Sequence, residues 1–331
     1  MGHQLKLDIY CFSIRVRRER DAEHRIFGDF FRENYSRDDE NPLQINKEVL
    51  IKRFIGGFID SFHEQFVLNR EETKGIATGF LKSYPSKNII DGLINGGLTG
   101  IDQDVYDRKN SIQREDIIEK DKITALPYYF KIWTPFDGTV GVLMIQSYTN
   151  MGVNTLIFQQ LAKYFVDKNH TIEKYKYVPE DYKERFIKKS VIYKVSLIKQ
   201  GLSNKARENL NPVFTEKENL KVRIEITGFE ETPERFWKLF RKKKIINSDL
   251  TALEMEDDDD FETIATYKDE FGHQSSVRIS KDKNILPTYF LDNSLKKEGV
   301  EYPDYNLIRK HTNSILKKVK KEIGYTPEDV D

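Results

Sequence analysis

The sequence predicts an α+β chain of two halves, residues 1–170 and 171–331, each a mainly antiparallel sheet with helices packed on one face. Three observations lead there. Apolar and polar residues alternate in many short runs, those runs follow one another through tight turns, and no regular alternation of strand and crossover helix appears.

Residues 5–19, "LKLDIYCFSIRVRRE", alternate and are rich in β-branched and aromatic side chains, which predicts a strand. Residues 20–35 predict a helix with Ile26, Phe27, Phe30 and Phe31 on one side. Between 47 and 68, Leu50, Phe54, Phe58, Phe62 and Phe66 recur every four residues and predict a helix; Gly56-Gly57 keeps a hairpin open as the alternative. Two glycine-bearing runs, 75–84 and 88–106, read as strands, and the charged stretch 107–122 as a surface excursion.

The stretch "PFDGTVGVLMIQSYTNMGVNT" (135–155) sets glycines around an apolar run and resembles a phosphate cradle. A phosphate loop needs Gly-x-x-x-x-Gly-Lys-Ser/Thr between strand and helix, and a dinucleotide site needs Gly-x-Gly-x-x-Gly at a strand end. Neither spacing is present. The stretch instead predicts a Pro-Phe-Asp-Gly turn, a central strand at 140–147, and a helix capped by Asn154 or Thr155.

Residues 175–179 read as the joint between the halves. Beyond them the pattern predicts a helix at 180–189, strands at 191–199 and 220–229, and a helix from Thr232-Pro233 onward. A hairpin (261–268 with 274–280) and a lysine-rich helix at 304–323 complete the chain. In that last helix Ile308, Ile315, Val319 and Ile323 form the inner face, and Lys310, Lys317, Lys320 and Lys321 lie elsewhere.

Fifty-four basic residues balance 54 acidic ones, so no global field draws the chain to nucleic acid or membrane, and any electrostatic partner must meet a local patch. Cys11 has no second cysteine to pair with. No secretory signal or membrane-spanning run is evident, which leads to an expected cytoplasmic location.

The sharpest binding candidate is the helix after Thr232. Phe236, Leu239 and Phe240 share one arc; Arg235, Lys238, Arg241 and Lys242 share another, and Lys243 and Lys244 extend it. Clustered cations on one face suit phosphates. The leading expectation is therefore a non-enzymatic binding protein that engages nucleic acid or a protein partner through this basic helix. A metal-dependent phosphodiesterase or nuclease is the first alternative, with Asp102 and Asp104 holding magnesium at a strand end. No other cofactor is expected. An assembly subunit of a mobile-element or phage-defence system, able to form a homo-oligomer, is the second alternative. Arg18 with His24 fits the Arg-x(4–6)-His spacing of a class of helical ribonucleases, but this chain is not all-helical. The acidic run 254–260 lacks the spacing of a calcium loop.

Overall fold

A computed structural model describes residues 3–18, 23–63, 66–107, 109–149, 151–217, 219–240, 261–279 and 285–325. The chain is α+β, with antiparallel pairing between every pair of neighbouring strands labelled below. It divides into two compact units, Met1–Tyr177 with Phe290–Asp331, and Val178–Tyr289.

In chain order the first unit holds β1 (Leu5–Val16), α1 (Phe27–Tyr35), α2 (Lys47–His63), β2 (Val67–Leu68), β3 (Lys74–Tyr84), β4 (Ile89–Leu98), β5 (Gln103–Asp107) and β6 (Asn110–Ile118). These are followed by β7 (Thr124–Trp133), β8 (Gly141–Tyr148), α3 (Asn154–Val166) and β9 (His170–Tyr177). The main sheet has eight strands: β1-β8-β7-β4-β3-β2 run in order, and both β9 and the two-residue strand Tyr289–Phe290 pair with β1. Strand β8 is buried along its whole length, as expected of an apolar central strand. The stretch read as a joint, 175–179, contains the boundary between the two units: Tyr177 ends β9, paired with Ile9, and Val178 begins the second unit. The long strand expected over 88–106 breaks after Leu98, and its second part pairs with β6 as a separate hairpin.

Segment 47–63 is one helix. Its phenylalanine row buries Phe54, Phe58 and Phe62 against the sheet, with Phe58 stacked on Phe130 of β7 at 6.2 Å. The glycine pair does not break it because Gly57 faces α3: a Cβ there would lie 3.1 Å from the Tyr164 hydroxyl. Helix α3 covers the sheet with Leu156, Ile157, Leu161 and Phe165. Its expected cap is different, however. Asn154 is the first helical residue, makes no cap bond, and donates to Asp8 Oδ2 at 2.7 Å.

Alternation along β7 sends Phe130 toward α2, while Tyr129 and Lys131 point to the opposite face. There they meet α7 (Tyr305–Glu322). The sheet thus carries helices on both faces rather than one. The expectation missed this because β4 and β7 place polar residues, Asp91 and Lys131, where α7 packs.

The second unit holds α4 (Glu180–Lys189), β10 (Val191–Gln200), α5 (Asn204–Leu210), β11 (Lys221–Glu231), α6 (Pro233–Phe240), β12 (Glu262–Lys268) and β13 (Gln274–Ile279). Its sheet order is β11-β10-β12-β13. Phe186 of α4 and Phe236 of α6 pack with Val195, Leu197, Ala265, Tyr267 and Val277 in one core. Among the described residues, no helix is long and apolar enough to cross a membrane.

Candidate functional site: a cationic cleft beside α7

Helix α7 starts at Asp304, whose Oδ1 accepts the backbone N–H groups of Asn306 and Leu307 at 2.9 and 3.0 Å. Ile308, Ile315 and Val319 anchor it to the sheet. The adjoining stripe, Arg309, Asn313, Leu316, Lys317 and Lys320, follows the helical spacing of three and four and lines a cleft of 470 Å³. That volume falls in the range of small-ligand sites.

The floor of the cleft is a buried polar network. Asp91 of β4 and Lys131 of β7 stand directly opposite in register, so both side chains leave the same face. Lys131 Nζ lies 3.6 Å from Asp91 Oδ2, and each side chain is 1% exposed. Arg309 Nε lies 3.4 Å from the same oxygen. Tyr305 donates to Asp91 Oδ1 at 2.6 Å and Tyr129 to Oδ2 at 3.3 Å. Lys131 also donates to Asn313 Oδ1.

One carboxylate therefore serves two cations, and the three groups sum to one positive charge in a poorly solvated wall. Burying ions costs several kcal/mol each, and an opposite charge recovers it only in part. Lys131 registers the imbalance. Burial pushes its ammonium down to about 8; Asp91 pulls the other way, and Arg309 and Lys320 lower it further.

More cations line the cleft. Lys47 opens α2 and Lys87 ends a short turn at Pro85–Lys87; neither has a carboxylate partner among the described residues. Aromatic rings hold the flanking cations in place. The Arg309 guanidinium lies 4.2 Å from the Tyr84 ring and Lys320 Nζ 4.2 Å from Trp133. Lys320, expected off the inner face, is 4% exposed and packs under the helix through this contact. Asp137 adds an exposed carboxylate to the lining, which among the described residues contains no histidine or cysteine. The arrangement suits holding an anion.

The residues singled out from sequence lie elsewhere. Arg235 begins α6 and pairs with Glu231 at 3.3 Å while remaining 72% exposed. Thr232 Oγ1 accepts the Arg235 N–H at 3.3 Å, the expected cap. Lys238 falls on α6; Arg241, Lys242, Lys243 and Lys244 lie outside the described residues, as does the acidic run 254–260. Asp102 accepts the Lys120 N–H at 2.7 Å, and Asp104 pairs with Arg114 at 3.3 Å. Among the described residues, no group of three or more His, Cys, Asp or Glu side chains could hold a metal ion. His24 bonds Arg15 and Glu173, each at 3.1 Å, on the surface.

Asp91 and Lys131 carried a signal that charge clustering does not detect. Each is a lone charge inside an apolar strand, in "IIDGLI" and "YYFKIW", and such a charge is buried only with a partner. No family model, curated protein or solved structure gives a significant match to this chain.

Proposed function

We propose that this chain binds nucleic acid through the cationic cleft beside α7. The observation that carries the reading is the shared carboxylate: Asp91 in the cleft lining faces both the buried Lys131 and Arg309, and an excess positive charge remains beside a concave, cation-rimmed site. A phosphate entering the cleft supplies the missing anion, releases counterions, and meets Lys87 and Lys47 at the rim. The chain's overall neutrality fits such a local contact.

The basic helix around Arg235 supports a second contact less well, because Arg235 already leans on Glu231. The phosphodiesterase reading draws least support, since Asp102 and Asp104 are engaged within their own hairpin.

The test is fluorescence anisotropy with a labelled single-stranded oligonucleotide across a salt series. Lys87→Glu together with Arg309→Gln should weaken binding at least tenfold and lower the salt slope by about 0.7 per lost phosphate contact. Unchanged affinity and slope in that variant would end the reading, and the same loss from Arg235→Glu alone would move the contact to α6.

A further inference from the structure

The two cations that share Asp91 differ in what they can do when an anion arrives. Lys131 is fixed: its side chain is 1% exposed and donates to Asn313 Oδ1. Arg309 lines the cleft, is 34% exposed, and rests over the Tyr84 ring. Its buried Nε makes no hydrogen bond, so the 3.4 Å approach to Asp91 Oδ2 is an ion pair with no proton donated. Asp91 itself is held by two hydroxyls, Tyr305 on Oδ1 at 2.6 Å and Tyr129 on Oδ2 at 3.3 Å.

An anion in the cleft therefore competes with Asp91 for Arg309 and leaves the carboxylate in place. As the guanidinium turns to the anion, Oδ2 loses one of its two cations and belongs to Lys131 alone. The charge of Arg309 is then neutralised from the cleft side. Both changes favour the charged form of Lys131. Of the two cations only Lys131 can shed a proton, since a guanidinium stays charged.

The groups facing Lys131 are Asp91 from β4, Tyr129 from its own strand, and Arg309, Asn313 and Lys320 from α7. Tyr305 reaches it through Asp91, and Met144, opposite it on β8, carries no charge. Burial brings its ammonium down to about 8 against the pull of Asp91, and Arg309 lowers it further. Its proton is thus only partly held in mildly alkaline solution.

We propose that an anion entering the cleft takes Arg309 from Asp91 and loads a proton onto Lys131, so that binding is coupled to proton uptake. This rests on the nucleic-acid reading above and adds its regulation by pH. The coupling is reciprocal: protonation of Lys131 tightens binding by the same factor by which binding tightens the proton.

The test is isothermal titration calorimetry with a single-stranded oligodeoxyadenylate at pH 8, in two buffers of different ionisation enthalpy. Adenine does not titrate near this pH, so the difference between buffers counts protons taken up by the protein. A tenfold gain in proton affinity at Lys131 gives an uptake of about 0.4 proton per site and an affinity that falls about sevenfold from pH 7 to 9.5. Other groups also gain protons beside a polyanion, so the uptake is read as a difference from variants. Lys131→Met should remove this increment because nothing is left to titrate. Arg309→Gln should remove it by a second route, since Asp91 then serves Lys131 alone before the ligand arrives, and this variant keeps the test open if Lys131→Met does not fold. Binding without uptake, or uptake undiminished in either variant, would overturn the coupling and leave the nucleic-acid reading standing. No binding by the wild-type chain would overturn both.

Discussion

Replacing Asp91 by Asn keeps the shape of the side chain and removes the one negative charge that Lys131 and Arg309 share. The cost can be built up by group. Lys131 in the wild type already bears a shift from 10.5 to about 8, worth roughly 3 kcal/mol at neutral pH. Without Asp91 it sheds its proton, and release at pH 7 limits the added cost to about 1–2 kcal/mol. Arg309 cannot deprotonate, but it is one-third exposed, so its loss is about 1 kcal/mol. Tyr305 and Tyr129 exchange a charged acceptor for a neutral one, about 1 kcal/mol together. The sum, about 3–4 kcal/mol, matches what removal of one partner from a buried pair typically costs. Urea denaturation measures it: with a slope of about 3 kcal/mol per molar, the midpoint falls by about 1 M. Lys131→Met in the same chain removes the stranded ammonium, so the double variant should return to within about 2 kcal/mol of wild type. A loss below about 1 kcal/mol for Asp91→Asn, additive with Lys131→Met, would refute the claim that this carboxylate compensates buried charge.

Two further outcomes follow from the same geometry. Lys131 is protonated to higher pH in the unfolded chain than in the folded one, so its penalty is full below pH 8 and disappears as pH rises through 10.5. The groups facing it are Asp91 on β4, Tyr129 on its own strand, and Arg309, Asn313 and Lys320 on α7. Wild-type stability minus that of Lys131→Met should therefore climb by about 3 kcal/mol between pH 8 and 10.5, and a flat difference would contradict the assignment. In α2, Gly56→Ala meets nothing within 4 Å and should stabilise by about 0.5–1 kcal/mol, whereas Gly57→Ala presses on the Tyr164 hydroxyl and should lose that gain. Equal melting temperatures for the two variants would show that the α2–α3 approach is not as close as described.

Much of the fold could be read from periodicity. The phenylalanine row of α2, the apolar run of β8 and the Thr-Pro start of α6 each state their own geometry within a few residues. The pairing of β9 with β1 could not be read, because Lys174 and Lys176 make the segment look like a linker, and pairing across some 160 residues leaves no local pattern. The site was harder still. Clustered cations drew attention to α6, where charge is dense along the sequence. The cleft instead gathers single charges from α2, the Pro85–Lys87 turn, β4 and α7, and Asp91 meets the buried Lys131 only because their strands are adjacent in one register. Lys320 shows the limit plainly: a lysine on a helix reads as solvent-facing, yet its long stem and Trp133 allow burial.

The most direct measurement is ultraviolet cross-linking of a bound single-stranded oligonucleotide, followed by mapping of the modified peptides. The account predicts adducts on peptides containing Tyr84 and Lys87, and Lys317 and Tyr325, all of which line the α7 cleft. Adducts confined to the peptide carrying Arg235 and Lys238, with the α7 peptides unmodified, would contradict it.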